Sequence, residues 1–514
     1  MTIEHFDVVV VGAGISGIGA GYHLQAMSPD RSYVILEGRA GIGGTWDLFR
    51  YPGVRSDSDM HTLGYSFKPW TSEKAIADGP SILAYLRETV SEFGIDRHIR
   101  FGHLATNAEW SSADARWTVT ATDTSTDTST DTSTDTSTDT STTGGERREF
   151  TCNYLFMCSG YYSYKAGHTP EFAGLEQFQG TVVHPQQWPE DLDYAGRRVV
   201  VVGSGATAMT LIPAIAKTAA HATMLQRSPT YVAAGPDKDV IANTLRKVLP
   251  AKAAYAVTRK KNIALQQFIY GQSRTKPARM KANLIKRVRK ALGPDYDVAT
   301  HFTPTYNPWD QRLCLVPNGD LFDAINSGRA SVVTDHIDTF TPTGIRLQSG
   351  EELAADIVVT ATGLELVTLG EMRFVVDGEP VDFAQTWTYK GFAYSGVPNL
   401  ASSSGYINAS WTLRADLTCE YVCRLLNHMA TTGTVQCTPR LRPEDAGMPE
   451  RPWIDGFTAG YMQREMRRFP RQGDHEPWIN PQSYTRDKKM FRTSALEDGA
   501  MQFTSARMPV AHTG

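Results

Sequence analysis

The sequence predicts an α/β protein with two Rossmann-like dinucleotide-binding domains, the second interrupted by a helical insertion. Three observations carry this. A short apolar run, Phe6 to Val11, is followed by a glycine turn, an amphipathic segment and a second apolar run, Tyr33 to Leu36. The same pattern restarts at Arg197, as RRVVVVGSGATAMTLIPAIAK and then a strand near Ala222 to Gln226. Between Val240 and Leu292 the pattern is mainly helical, with proline breaks at Pro250 and Pro277. Short, near-continuous apolar runs are what parallel strands buried on both faces require.

At 514 residues the chain is too long for one hydrophobic core. Its 41% hydrophobic and 21% charged residues are those of an ordinary soluble globular protein. A net charge of -4 gives no global attraction to nucleic acid or anionic membrane, so any such affinity must come from a local patch. The six cysteines, Cys152, Cys158, Cys314, Cys419, Cys423 and Cys437, show no zinc-ribbon or Cys-x-x-Cys spacing. Neither a metal site nor a disulfide framework is indicated, and Cys419 and Cys423 read as core thiols. The N-terminus has no basic leader, and no run approaches 18 apolar residues. A reducing, cytoplasmic environment is expected.

The first βαβ unit carries Gly12-x-Gly14-x-x-Gly17. Gly12 makes the tight turn, Gly14 lets a pyrophosphate approach the backbone, and Gly17 permits close helix–strand packing. The helix N-terminus then faces phosphate charge. Glu37 follows the next strand, 20 residues after Gly17. A carboxylate there accepts hydrogen bonds from ribose hydroxyls and repels a 2′-phosphate, which suits FAD or NAD. Gly43-Gly44-Thr45-Trp46 comes soon after, where backbone can pass close to a large flat ligand. Together these point to FAD.

The second unit carries Gly203-x-Gly205-x-x-Ala208, with Ser204, Ala206 and Thr207 in the turn. Arg227 stands 19 residues after Ala208, where an NAD site carries an acid. A guanidinium binds a 2′-phosphate in bidentate fashion, and Ser228 adds a hydroxyl. This selects NADPH.

Residues 123–142 are five copies of Asp-Thr-Ser-Thr, without an apolar residue. Such a tract cannot offset its ordering entropy by burial and is expected as an expanded, mobile hairpin loop between two strand-like segments. Residues 240–292 hold 14 Lys or Arg and no Asp or Glu. Several readings stay open for this basic stretch, 246–290 above all: a solvated face, weak contact with a membrane surface, or attraction of anionic substrates.

Two longer stretches carry a resemblance. Gly43-Gly44-Thr45-Trp46-Asp47-Leu48-Phe49-Arg50-Tyr51-Pro52-Gly53-Val54-Arg55-Ser56-Asp57 and Phe178-Gln-Gly180-Thr-Val-Val-His184-Pro-Gln-Gln-Trp188-Pro189 resemble, at every defined position, the two fingerprints of Baeyer–Villiger monooxygenases. The resemblance covers nearly the whole chain. Within that family, these stretches and YNPWDQRLCLVPNGDLF look like the ethionamide-activating group of mycobacteria.

The resemblance implies a flavoenzyme that uses FAD, NADPH and dioxygen. A flavin peroxide would add to a ketone and give an ester or lactone. The alternative is transfer of the same oxygen to the sulfur or nitrogen of a thioether, thioamide or amine. It implies that Arg312 and Asp57 are catalytic and near the flavin ring. Arg312 would stabilise anionic oxygen, and Asp57 would orient Arg312. It places FAD contacts on Ser16, Glu37, Gly44, Thr45, Trp46, Asp47 and Leu48, with backbone near Ala105 at the adenine. Arg55 and Ser56 would border the meeting point of nicotinamide and flavin. His184 would link domains rather than transfer a proton, Ala361-Thr362-Gly363 would be a return segment, and Asn408 to Trp411 would line the substrate pocket. Gln311 departs from a lysine that many members carry before the arginine, so the 2′-phosphate would rest more heavily on Arg227. A pyridine-nucleotide disulfide reductase shares the layout but needs a redox cysteine pair beside the flavin, and no cysteine precedes Cys152.

The expected division is residues 1–150 for the first part of the FAD domain, 151–230 for the first part of the NADP domain and 231–300 for the helical insertion. Residues 301–370 would complete the NADP domain, and 371–514 the FAD domain with a C-terminal segment lining the substrate site.

Overall fold

Apolar strands flanked by glycine turns build two sheets in the computed structural model, which describes residues 3–124 and 145–505. In the first sheet, Glu4–Val11 pairs in parallel with Tyr33–Leu36 on one side and Arg147–Met157 on the other. Alternation sends Val8 and Val10 into one core and Val9 and Val11 into another, so the strand is buried on both faces. The antiparallel strands His103–Ser111 and Arg116–Asp123 extend this sheet beyond Arg147–Met157.

The strand Arg147–Met157 straddles the expected boundary at residue 150, and all its pairing lies within the first sheet. Later chain also returns there: Arg373–Val376 pairs with His103–Ser111, and Leu400–Ser402 with Arg147–Met157. The Asp-Thr-Ser-Thr tract joins two paired strands, as a hairpin connection must. Residues 125–142 of the expected mobile loop lie outside the described residues.

The second sheet is parallel throughout, in the order Ala330–Thr334, His221–Gln226, Arg198–Val202, Ile357–Thr360, Thr181–Val183. Val199 and Val201 enter one core and Val200 and Val202 the opposite one. Between His221–Gln226 and Ala330–Thr334 lies the helical insertion, with helices Val240–Val248, Ala251–Thr275 and Pro277–Leu292. Pro250 caps the second helix and Pro277 opens the third, where a missing N–H costs nothing.

The helix after the first glycine turn, Ile15–Met27, is not amphipathic as the sequence suggested. It buries Ser16 through Gly21 without a break, because helix Thr412–Thr432 covers its outer side. A helix held between a sheet and another helix has no solvent face.

At Gly17 an added Cβ would stand 1.8 Å from the Gly12 carbonyl oxygen, whereas at Gly205 it would meet nothing within 4 Å. Gly17→Ala should therefore force helix and strand apart and destabilise by about 2 kcal/mol or more. Gly205→Ala should change stability by less than about 0.5 kcal/mol. Thermal midpoints of the two variants, measured side by side, check this; equal midpoints would contradict the packing argument.

Candidate functional site

Both glycine turns have the geometry their sequences require. Gly12 has φ +101 and its N–H donates to the Leu36 carbonyl at 2.7 Å. Gly203 has φ +137 and its N–H donates to the Leu225 carbonyl at 2.8 Å. Each turn leads into a helix whose first N–H groups are not used within the helix. Around Gly14 only the Gly44 backbone lies within 4 Å of an added Cβ, and around Gly205 there is open space. A pyrophosphate fits such backbone cradles.

The residues that distinguish the two turns are also in place. Glu37 is buried, and its carboxylate accepts from the N–H groups of Ala13 at 2.7 Å and Arg39 at 3.0 Å. Burial raises its pKa, and those two N–H groups and the Arg39 charge oppose the rise. Arg227 is exposed and forms no ion pair among the described residues. Ser204 Oγ donates to the Ser228 carbonyl at 3.1 Å and hydrogen-bonds Thr230 Oγ1 at 2.9 Å, which ties the glycine turn to the segment after Arg227. Gly205 and Ala206 are exposed at the turn, and Thr207 is half-buried.

The segment Gly43 to Asp57 bridges the two turns. At its start, Gly43 N–H donates to the Ala13 carbonyl at 3.0 Å, and Gly44 adopts φ 56, ψ -121, a region open to glycine. The short helix Thr45–Leu48 follows, with Trp46 packed on the first core and Asp47 paired to Arg39 at 2.8 Å. At the other end Tyr51 and Val54 enter the core of the second sheet. Gly53 (φ +76) lies so close to helix Ala206–Ile215 that an added Cβ would stand 2.8 Å from Ala214 Cβ. Arg50 pairs with Glu190, just beyond the second fingerprint, and Arg55 with Asp320 at 2.5 Å. The Ser56 hydroxyl is buried and donates to the Ser58 carbonyl at 2.7 Å.

The segment ends on the expected pair. Arg312 Nη1 donates to Asp57 Oδ2 at 2.9 Å. Withdrawal from water disfavours the guanidinium charge, but Asp57, Tyr461, Tyr161 and Tyr162 outweigh it and push its pKa well above the ordinary value. Burial in turn pushes the Tyr161 phenol to about 12. Tyr161 shares a 2.9 Å hydrogen bond with Tyr162 and stacks on Trp411 with ring centroids 5.1 Å apart. The Trp411 indole N–H donates to Ser16 Oγ at 2.8 Å. A chain of contacts thus joins the surroundings of Arg312 to the start of the first helix. Tyr161 and Trp411 line a small cavity of about 30 Å³ together with Ser159, Ser403, Trp453 and Phe469.

The remaining expected residues divide. Trp411 lines the cavity, whereas Asn408 is turned to the Gln482 carbonyl at 3.0 Å. Ala105 lies in the core beneath the first sheet, near the chain reversal at Glu37. Thr362 donates to the His168 carbonyl at 2.6 Å. His184 Nδ1 accepts from Gln186 N–H at 3.2 Å, which leaves the ring proton on Nε2 to bond the Gly363 carbonyl at 3.1 Å. Both ring nitrogens are thus engaged in holding the chain. Sequence reasoning missed Arg39, Tyr161, Tyr162, Tyr461 and Asp59. Asp59 caps helix Met60–Leu63 and accepts from Asn262 and Gln266, both at 2.9 Å. The adjacent aromatics of SGYYSY are the one signal that could have pointed to Tyr161 and Tyr162.

Comparison with known proteins agrees with this layout. A family model described as flavin-binding monooxygenase-like matches residues 80–286, and one described as an NAD(P)-binding Rossmann-like domain matches residues 10–73. The chain is 50% identical over 508 residues to the FAD-containing monooxygenase EthA of Mycobacterium tuberculosis, covering 99% of each. It is 48% identical to the putative FAD-containing monooxygenase MymA of the same organism, covering 98% of each. It is 45% identical to the probable FAD-binding monooxygenase AlmA of Acinetobacter baylyi, covering 97% of this chain and 96% of that one. The fold is that of a steroid monooxygenase solved with NADP, at TM-score 0.76 and 24% identity over 98% of this chain and 100% of that one. It is equally that of a cyclohexanone monooxygenase, at TM-score 0.75 and 20% identity with the same coverage.

Burial lowers the pKa of His184, with the Gly363 carbonyl opposing. A depressed imidazole pKa costs nothing above the unfolded value of 6.5 and destabilises as pH falls from there through the folded value. Between pH 7 and pH 5.5, about where imidazole titrates, wild type should lose more thermal midpoint than His184→Gln. Parallel profiles for the two proteins would show that His184 is not held neutral.

Proposed function

The chain belongs to the flavin-binding monooxygenase family, and we propose that it binds FAD at the Gly12–Gly17 turn and NADPH at the Gly203–Ala208 turn to insert one atom of dioxygen beside a ketone carbonyl. It is an NADPH-dependent flavin monooxygenase. In this reading the FAD-binding unit is discontinuous, made of chain before residue 157 and after residue 371, with the NADP-binding unit between them. The observation that carries the reaction type is the Arg312–Asp57 pair at 2.9 Å, set among Tyr161, Tyr162 and Tyr461.

FAD and NADPH, when bound, would supply the electrons that activate dioxygen, one atom of which is transferred while the other leaves as water. The chain's own residues do the rest. Glu37 accepts the ribose hydroxyls of FAD, while Arg227 and Ser228 take the 2′-phosphate of NADPH. Ser16, Gly44, Thr45, Trp46, Asp47 and Leu48 run along the FAD chain, and Arg55 and Ser56 stand between the two nucleotides. Arg312 presents a permanent positive charge where negative charge develops on the attacked carbonyl oxygen. Asp57 fixes the direction of that guanidinium without removing its charge. In this reading Tyr161 and Trp411, which line a small cavity with Trp453 and Phe469, present an aromatic wall to the substrate.

Oxygen transfer to a thioether develops no anionic carbonyl oxygen and so draws less on the cation. Arg312→Ala should lower turnover of a linear 2-ketone by about 100- to 1,000-fold. Turnover of a thioether should fall by less than about tenfold if no such charge needs stabilising. Steady-state rates on both substrates, with mass detection of ester and sulfoxide, check this. Equal losses on both, or a thioether product alone in wild type, would favour heteroatom oxygenation instead. Arg227→Ala should raise KM for NADPH by roughly tenfold or more, the worth of a charge-assisted contact, and leave KM for NADH nearly unchanged. Equal changes for the two nucleotides would remove Arg227 from the 2′-phosphate.

A further inference from the structure

The first two helices of the insertion are built inside out, whereas Pro277–Leu292 buries Leu284, Val288 and Leu292. Helix Val240–Val248 buries Ala242 but leaves Val240, Ile241 and Val248 at 72%, 56% and 71% exposure, with Leu249 beyond its end at 37%. A surface helix ordinarily turns its apolar stripe to the core. The next helix, Ala251–Thr275, repeats the inversion. Its inner side is largely polar: Arg259 donates to the carbonyls of His61, Thr62 and Gly64, and Asn262 and Gln266 donate to Asp59. Its outer side carries Leu265 at 52% and Phe268 at 63% exposure.

Charge says what covers this face. The 14 cations of residues 240–292 meet no acid within that stretch. Some have partners elsewhere, as Lys261 has Asp239 and Arg274 has Asp310, both at 2.6 Å. Lys247, Lys252, Lys260 and Lys276 are exposed and form no ion pair among the described residues. A second copy would bring the same cations against themselves. An anionic bilayer offers what the face lacks: apolar depth for the exposed side chains and phosphate for the lysines, whose stems reach outward to the headgroups. No helix among the described residues is long and apolar enough to cross a membrane, so the contact lies along the surface.

We propose that the outer face of helices Val240–Val248 and Ala251–Thr275 docks the protein on anionic lipid bilayers. This does not depend on which atom of the substrate is oxygenated. The test is co-sedimentation of the flavin-loaded full chain with phosphatidylcholine vesicles, with and without phosphatidylglycerol. Wild type should pellet with the phosphatidylglycerol vesicles, less at high salt, and weakly with the neutral ones. Ile241→Glu/Val248→Glu/Phe268→Glu should lower the partition at least about tenfold, because three apolar anchors are lost and three anions added. Lys247→Gln/Lys260→Gln should lower it by roughly fivefold for each charge removed. Both variants change exposed side chains, and unchanged thermal midpoints show that they fold. No pelleting with phosphatidylglycerol, pelleting that survives the glutamates, or equal pelleting with neutral vesicles would overturn the proposal. So would a vesicle-free dimer that the glutamates dissociate, since a second copy would then cover the face.

Discussion

The ion pair of Arg312 with Asp57 is the contact on which the proposed oxygen insertion depends. The two residues come from distant parts of the chain. Asp57 ends the segment that begins on the first glycine turn, and Arg312 stands just before the strand Leu313–Pro317. Their meeting at 2.9 Å requires that the bridge from Gly43 to Asp57 be held at both ends. It is held by the Gly43 N–H on Ala13 at one end, and at the other by Tyr51 and Val54 in the second core and Gly53 against helix Ala206–Ile215.

The same arrangement gives each nucleotide turn its own electrostatic sign. Two turns with nearly the same backbone are followed by Glu37 in one case and Arg227 in the other. Helix N-termini attract phosphate equally at both. In the proposed reading, discrimination rests on the residue after the next strand: buried Glu37 as acceptor for ribose hydroxyls, exposed Arg227 as cation for a 2′-phosphate. Between them, Arg39 draws Asp47 to 2.8 Å, so the carboxylate of the bridging segment is compensated before any ligand arrives.

Features set by local backbone demands could be read from the sequence. The glycine turns, their strands and the prolines that open the insertion helices were legible; that Asp57 and Arg312 act together was suggested only through resemblance, and the two are paired. The amphipathic reading of helix Ile15–Met27 failed because its outer side is covered by Thr412–Thr432, a partner nearly 400 residues away that no local pattern announces. The boundary at residue 150 cut a strand because domain division was read from motifs, whereas strand pairing decides it. Tyr161, Tyr162 and Tyr461 were missed because their role is to surround a charge, a property of position that leaves no spacing signal. The apolar exposure of helix Val240–Val248 was hidden for a related reason: periodicity gives the stripe but not the direction in which it points.

Leu400–Ser402 completes the first sheet beside a strand made some 245 residues earlier, with the entire second sheet and its insertion between them. At synthesis rates of about 5–20 residues per second, the open edge of Arg147–Met157 waits on the order of tens of seconds for its neighbour. An unpaired edge of apolar strand is a template for the wrong partner. The ribosome-bound chain is thus most vulnerable to association during that interval, and chaperone demand should peak before the last quarter of the protein emerges.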